Sequence, residues 1–235
     1  MVKAKKKVAP KKGEELLENP EAIAEQLNKT EQFLEQNRKG VIVVGGLIAA
    51  LVAGYFFFNY WITNRNETAQ KEMFQAVFYF ESDSLDRALN GDGNNYGFLQ
   101  IIDEFGMTDA ANLSHYYTGA IYLIKGDFDN AIKHLNKFSA KDLVVQARAY
   151  GLVGDAYMEL NNYREAVKFY MKAADHKANE FTSPPYLIKA AVAYEEMGDI
   201  KSAYNCYNTI TEKYVNSSDF QLARKHKARL ENKAG

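Results

Sequence analysis

"YGLVGDAYMELNNYREAVKFYMKA", Tyr150–Ala173, sets two helix-like segments on either side of an Asn161-Asn162 turn. Before the turn, Gly154 is followed three residues later by Tyr157. After it come Tyr163, Ala166 and, four residues on, Tyr170. The same order of residue types occurs upstream in "YYTGAIYLIKGDFDNAIKHLNKF", Tyr116–Phe138, and downstream in "LIKAAVAYEEMGDIKSAYNCYNTI", Leu187–Ile210. Small residues fall at Gly119, Gly154 and Ala191, aromatics at Tyr122, Tyr157 and Tyr194, and turns at Gly126-Asp127, Asn161-Asn162 and Gly198-Asp199. Alanines follow at Ala131, Ala166 and Ala203, with Leu135, Tyr170 and Tyr207 four residues later. A small residue lets the two helices of a hairpin approach closely, and the alanine does so from the second helix. The large side chains fill the gaps, and Gly-Asp or Asn-Asn reverses the chain.

Three units in register, spaced 35 and then 37 residues apart, resemble the tetratricopeptide repeat, whose period is about 34 residues. The resemblance covers residues 112–214 and implies an all-α fold, an α-solenoid of stacked hairpins. Ser183-Pro184-Pro185 departs from the usual start of the third unit, so its entry angle is open. Around the repeats, Glu67–Phe80 reads as a helix with Met73, Phe74, Val77, Phe78 and Phe80 as its apolar positions, and "YGFLQIIDEF" as another. Residues 63–111 are therefore expected to form a divergent cap hairpin. "SSDFQLARKHKARLENK" supplies a capping helix within 215–235, started by Ser218 or Asp219.

Upstream lies "VIVVGGLIAALVAGYFFFNYW", Val41–Trp61, without a charge. Extended to Ile62 and helical, it is about 33 Å long against a hydrocarbon thickness of about 30 Å. A core helix would carry a polar stripe, and none appears before Asn59. A cleaved export signal would be shorter and end in a small-x-small site. The expectation is a single transmembrane helix over 41–62. Arg38, Lys39 and a tail with six lysines in its first 12 residues precede it, which places the N-terminus in the cytoplasm and the rest outside. Gly46, Ala50 and Gly54 form a small-residue face that could pack on another helix. Residues 1–40 combine the basic tail with a helix from "NPEAIAEQLNKTEQFLEQNRK", capped by Asn19, whose Ile23, Leu27, Thr30 and Leu34 share one face, with Phe33 beside it.

The formal net charge of −1 gives no case for nucleic-acid binding, and a single cysteine, Cys206, excludes an internal disulfide framework. His115, His134, His176 and His226 lie on different expected helices, and no nucleotide-binding glycine pattern is present. Neither a catalytic set, a cofactor nor a metal is expected. In "DGNNYGFLQIID", Asp92, Asn94, Gly97 and Asp103 fall at positions 1, 3, 6 and 12 of a calcium loop. Tyr96 occupies a usual ligand position, and a plain inter-helix loop is the favoured reading.

The repeat resemblance implies a concave groove lined by the first helix of each hairpin. Leu113, Tyr116, Ala120 and Leu123 would come from the first repeat, Arg148, Asp155 and Met158 from the second, and Ile188, Val192 and Glu195 from the third. The Lys and Asn residues with which one chaperone-binding subgroup holds a terminal carboxylate are absent at these positions, and the mix of apolar and acidic character suits an apolar or basic polypeptide. Anchor plus external repeats resemble the YfgM-type ancillary subunits of the bacterial SecYEG translocon, in a form similar to the membrane-anchored repeat proteins of Bacteroidetes. That resemblance implies a non-enzymatic adaptor in the inner membrane with a periplasmic domain, handing emerging chains to a periplasmic isomerase or chaperone. The alternative is a scaffold for another envelope complex, in division, cell-wall synthesis or outer-membrane assembly.

Overall fold

The structure is a computed structural model that describes residues 20–231; the lysine-rich tail and the Asn19 cap lie outside them. Every element among the described residues is helical: α1 Pro20–Gln36, α2 Arg38–Glu81, α3 Leu85–Asn90, α4 Phe98–Glu104, α5 Asp109–Ile124, α6 Phe128–Leu135, α7 Val145–Glu159, α8 Tyr163–Asp175, α9 Ser183–Glu196, α10 Ile200–Lys213 and α11 Phe220–Leu230. The chain divides into two compact units, meeting between Tyr60 and Trp61.

In the first unit, α1 presents Ile23, Leu27, Phe33 and Leu34 to solvent, and the apolar start of α2 is exposed throughout. Gly46 and Gly54 have nothing within 4 Å of where a Cβ would stand. The helices expected separately over 41–62 and 67–80 are one helix of 44 residues. Thr63–Asn66 contain neither glycine nor proline, so nothing interrupts the backbone ladder.

The second unit is a stack. Its first layer packs Ala76 of α2 against Ala88, Leu89, Phe98, Ile101 and Ile121, with the Phe98 and Tyr117 rings stacked at 4.9 Å. Met73, Val77 and Phe80 join this cluster, whereas Phe74 and Phe78, also on the apolar side of the sequence pattern, point away and stay exposed. A helix covered on one face cannot bury five apolar positions spread around it. Between α3 and α4, the Asp92 carboxylate accepts the backbone N–H groups of Asn94 and Asn95 and the Tyr79 hydroxyl. The Tyr79 hydroxyl first, then Asn95 and Asn94, hold that carboxyl well below the usual carboxylate range. Gly91, at φ +82°, closes the loop.

Three hairpins follow: α5–α6, α7–α8 and α9–α10. Their turns are built alike. Gly126, Asn161 and Gly198 take left-handed backbone at φ +78°, +56° and +76°. The next residue in each, Asp127, Asn162 or Asp199, donates its N–H back to the carbonyl of Tyr122, Tyr157 or Tyr194 at 2.8–2.9 Å. That is the hydrogen-bond pattern of a Schellman ending. The same residue then accepts, through its side chain, the N–H of Asn130, Glu165 or Ser202, capping the following helix. At the third hairpin, Pro184 sits in the first turn of α9, where its missing N–H costs nothing, and buried Ser183 donates to the Ala174 carbonyl at 2.6 Å.

The small residues are where the helices meet. A Cβ on Gly119 would lie 2.5 Å from Leu135 Cγ, and one on Gly154 would lie 2.5 Å from Tyr170 Cε1. The Tyr170 ring cannot retreat, because its hydroxyl donates to Asp155 Oδ1 at 2.7 Å. Gly154→Ala gains about 1 kcal/mol of helix propensity but loses about 1–3 kcal/mol to overpacking. A net loss of stability of about 1 kcal/mol is expected in urea unfolding, while alanine at solvent-facing Gly106, whose Cβ would come no closer than 3.3 Å to the Ile102 carbonyl, is tolerated better.

Candidate partner-binding groove

The first helices of the hairpins, α5, α7 and α9, carry the ten nominated residues. Leu113 and Tyr116 are half-buried against Leu135, Phe138, Ala149 and Val153, so they are largely packing residues. Ala120 is buried and Leu123 half-buried. Leu123, Met158 and Asp155 line a cleft of about 560 Å³ between the first two hairpins. Ile188 is half-buried against the core that the second and third hairpins share, and Val192 is 41% exposed. Arg148 is exposed in the first turn of α7.

The two acids are held from within. Asp155 accepts the Tyr170 hydroxyl at 2.7 Å from its own hairpin and pairs with Lys189 at 2.7 Å from the next one. Glu195 accepts the Tyr207 hydroxyl at 3.1 Å and pairs with Arg229 of α11 at 2.6 Å. In each case the cation lies 34 residues beyond the acid, one repeat further along the stack. Burial, then the neighbouring carboxylate, drives the Tyr170 and Tyr207 phenols far above their ordinary value, so both remain donors. The acids therefore tie successive repeats together, and they are not free to receive a basic ligand.

Arg148 is different. Among the described residues it has no ion-pair partner. Its charge reaches the phenols of Tyr116 and Tyr117 on α5 and Tyr186 on α9, each of which is raised chiefly by burial and lowered by the guanidinium. Gly151, one turn beyond, gives the Tyr186 ring room to lie on α7. Near the N-terminal end of α7 there is thus an exposed cation whose charge is felt by tyrosines of both flanking helices.

Sequence spacing failed to connect His115 with His134. The structure puts their Nδ1 atoms 3.0 Å apart, one donating to the other. They sit 19 residues apart on the two helices of the first hairpin, the same offset as Leu187 and Cys206, which share the third hairpin's core. Aligning the repeats position by position would have paired them. Cys206 is buried, as packing alone suggests, and burial pushes its thiol up to about 11. In the Asp92–Asp103 loop, α4 begins at Phe98, so positions 7 to 12 of the calcium template are helical, and Asp92 already serves the loop's own N–H groups. Among the described residues, no three His, Cys, Asp or Glu side chains converge as metal ligands.

Residues 147–179 and 186–217, which span the second and third hairpins, match family models of the tetratricopeptide repeat. A tetratricopeptide repeat-containing protein of Methanocaldococcus jannaschii is 31% identical over 97 residues, 41% of this chain and 16% of that protein. The chain thus spans a small part of that curated relative's length. It carries tetratricopeptide repeats, a module for protein–protein interaction.

The histidine pair makes the stack sensitive to acid. Burial, then the charge of His115, lowers His134 to about 4; burial and Lys137 lower His115. The folded pair is neutral, whereas both imidazoles titrate near 6.5 when unfolded. The stability it contributes is present above about pH 6.5 and is lost as the pH falls toward 4. Urea unfolding should lose about 2 kcal/mol more between pH 6.5 and 5 in the wild type than in His134→Gln.

Proposed function

We propose that the chain is a non-enzymatic, membrane-anchored adaptor whose repeat groove captures polypeptide segments. The observation that carries this reading is the apolar start of α2. The helix contains an 18-residue window of mean hydropathy 2.5, none of it buried. Leu51, Phe57 and Tyr60 are among its most exposed side chains. A continuous apolar surface of this kind is stable in hydrocarbon and not in water. Arg38 and Lys39 at its start favour a cytoplasmic N-terminus, with the repeats outside the inner membrane.

The role favoured for that arrangement is an accessory subunit of the SecYEG translocon that passes emerging chains to a periplasmic isomerase or chaperone. The groove supports a revised partner chemistry. With Asp155 and Glu195 engaged internally, the uncommitted charge among the ten residues is Arg148 in the first turn of α7, and the exposed Val192 and half-buried Ile188 lie further along the neighbouring helix α9. An apolar segment carrying an acidic residue fits it better than a basic one. Copurification in mild detergent should bring down channel subunits; recovery of division, cell-wall or outer-membrane assembly proteins instead would support the scaffold reading.

Two further outcomes are expected. A reporter enzyme that works only outside the cytosol should be active when fused after Gly235. Arg148→Glu should weaken partner capture about tenfold or more, the loss of roughly 1.4 kcal/mol or more typical of a desolvated interface charge, without shifting the urea midpoint.

A further inference from the structure

The second unit is electrically polar along its sequence. Residues 63–111 hold nine acidic and three basic side chains, whereas Phe220–Leu230 holds four basic and no acidic ones. These segments form the first and last layers of the stack, and each terminal helix has one face covered and one bare. On α2 the bare face runs through Glu67, Lys71, Phe74, Phe78 and Glu81, spaced four and three residues apart and all exposed. Phe74 is 73% and Phe78 53% exposed, which sets two aromatic rings between Glu67 and Glu81 on a strip that holds two acids and one base, Lys71. On α11, Arg229 is spent on Glu195 and Lys227 lies over the Tyr204 ring. Arg224 and Lys225 remain exposed with no ion-pair partner among the described residues; exposed Leu222 lies one turn before Lys225 on the bare face, and Arg224 stands at that face's other edge.

We infer that these two faces are complements: the Leu222–Arg224–Lys225 face of α11 docks on the Glu67–Phe74–Phe78–Glu81 face of α2 in a second copy of this chain. The charges are opposite, and each face supplies an apolar anchor for the other. Both belong to terminal helices of a stack that otherwise grows by laying helix on helix. The contact is head-to-tail, so each copy that joins leaves one acidic and one basic end free. It lies outside the groove and does not rest on the adaptor reading.

The test uses the full chain in detergent micelles, followed by sedimentation velocity. Association should strengthen with protein concentration and weaken about tenfold or more between about 50 mM and 500 mM salt, where the screening length shortens severalfold. Arg224→Glu/Lys225→Glu has two acidic ends, and Glu67→Lys/Glu81→Lys has two basic ones. Each alone should associate about tenfold more weakly than the wild type. An equal mixture of the two should recover association, because each variant end meets an oppositely charged one. A wild-type chain that stays monomeric at both salts overturns the inference. So does association that survives both reversals, or a mixture that fails to recover. Should a charge-reversed variant lose its helical circular dichroism, Phe74→Ser/Phe78→Ser replaces it, with weakened association expected and unchanged association contrary.

Discussion

Hairpin formation here depends on how closely two helices can come. Gly119 and Gly154 leave no room for a methyl group, because the Leu135 and Tyr170 side chains lie where it would go. Close approach brings the Tyr170 hydroxyl within reach of Asp155, and Asp155 then reaches Lys189 in the next hairpin. The chain of causes runs from a missing side chain, to a short interhelical distance, to a hydrogen bond within one repeat, to an ion pair between repeats. Tyr207, Glu195 and Arg229 repeat the device one unit later, so the last helix is clipped on in the same way. Each exposed ion pair alone contributes little. The buried tyrosine end fixes where the carboxylate sits, and that fixes the register of neighbours.

The aromatic residues do the filling that small residues make possible. Tyr157 stacks on Phe169 at 5.6 Å, Tyr207 on His226 at 5.1 Å, and Tyr116 tilts against Phe138 at 5.4 Å. Such rings bury large areas and hold specific geometries. Few of these side chains are free to reorganise around a ligand, so a partner meets a groove shaped before it arrives.

Much of this was legible in residue order. The hairpins follow from the recurrence of small residue, aromatic, turn and alanine, since each has one geometric task. The joined helix over Arg38–Glu81 was not, because apolar content marks the ends of a lipid-compatible run and not the ends of a helix. Met73, Phe74, Val77, Phe78 and Phe80 read alike as apolar positions of one helix; which of the five turns inward depends on what α4 and α5 cover. Asp155 and Glu195 were placed on the groove side, yet their engagement was hidden, because the sequence states neither where Tyr170 and Tyr207 point nor that a cation one repeat onward reaches back. Arg148 stands out only after those pairs are removed from the account.

The hairpin turns have one more consequence. Asp127, Asn162 and Asp199 terminate one helix with the backbone and initiate the next with the side chain. No residue is left over as slack, so neither helix can fray at that end without disturbing its sibling. Each pair should open and close as a single cooperative block during native-state fluctuations. The longer connectors at 136–144 and 176–182 carry no such double duty. They are the natural boundaries between blocks, and the exposed stretch 141–144, clear of buried Phe138, is where evolution or an engineer could splice in extra sequence at least cost.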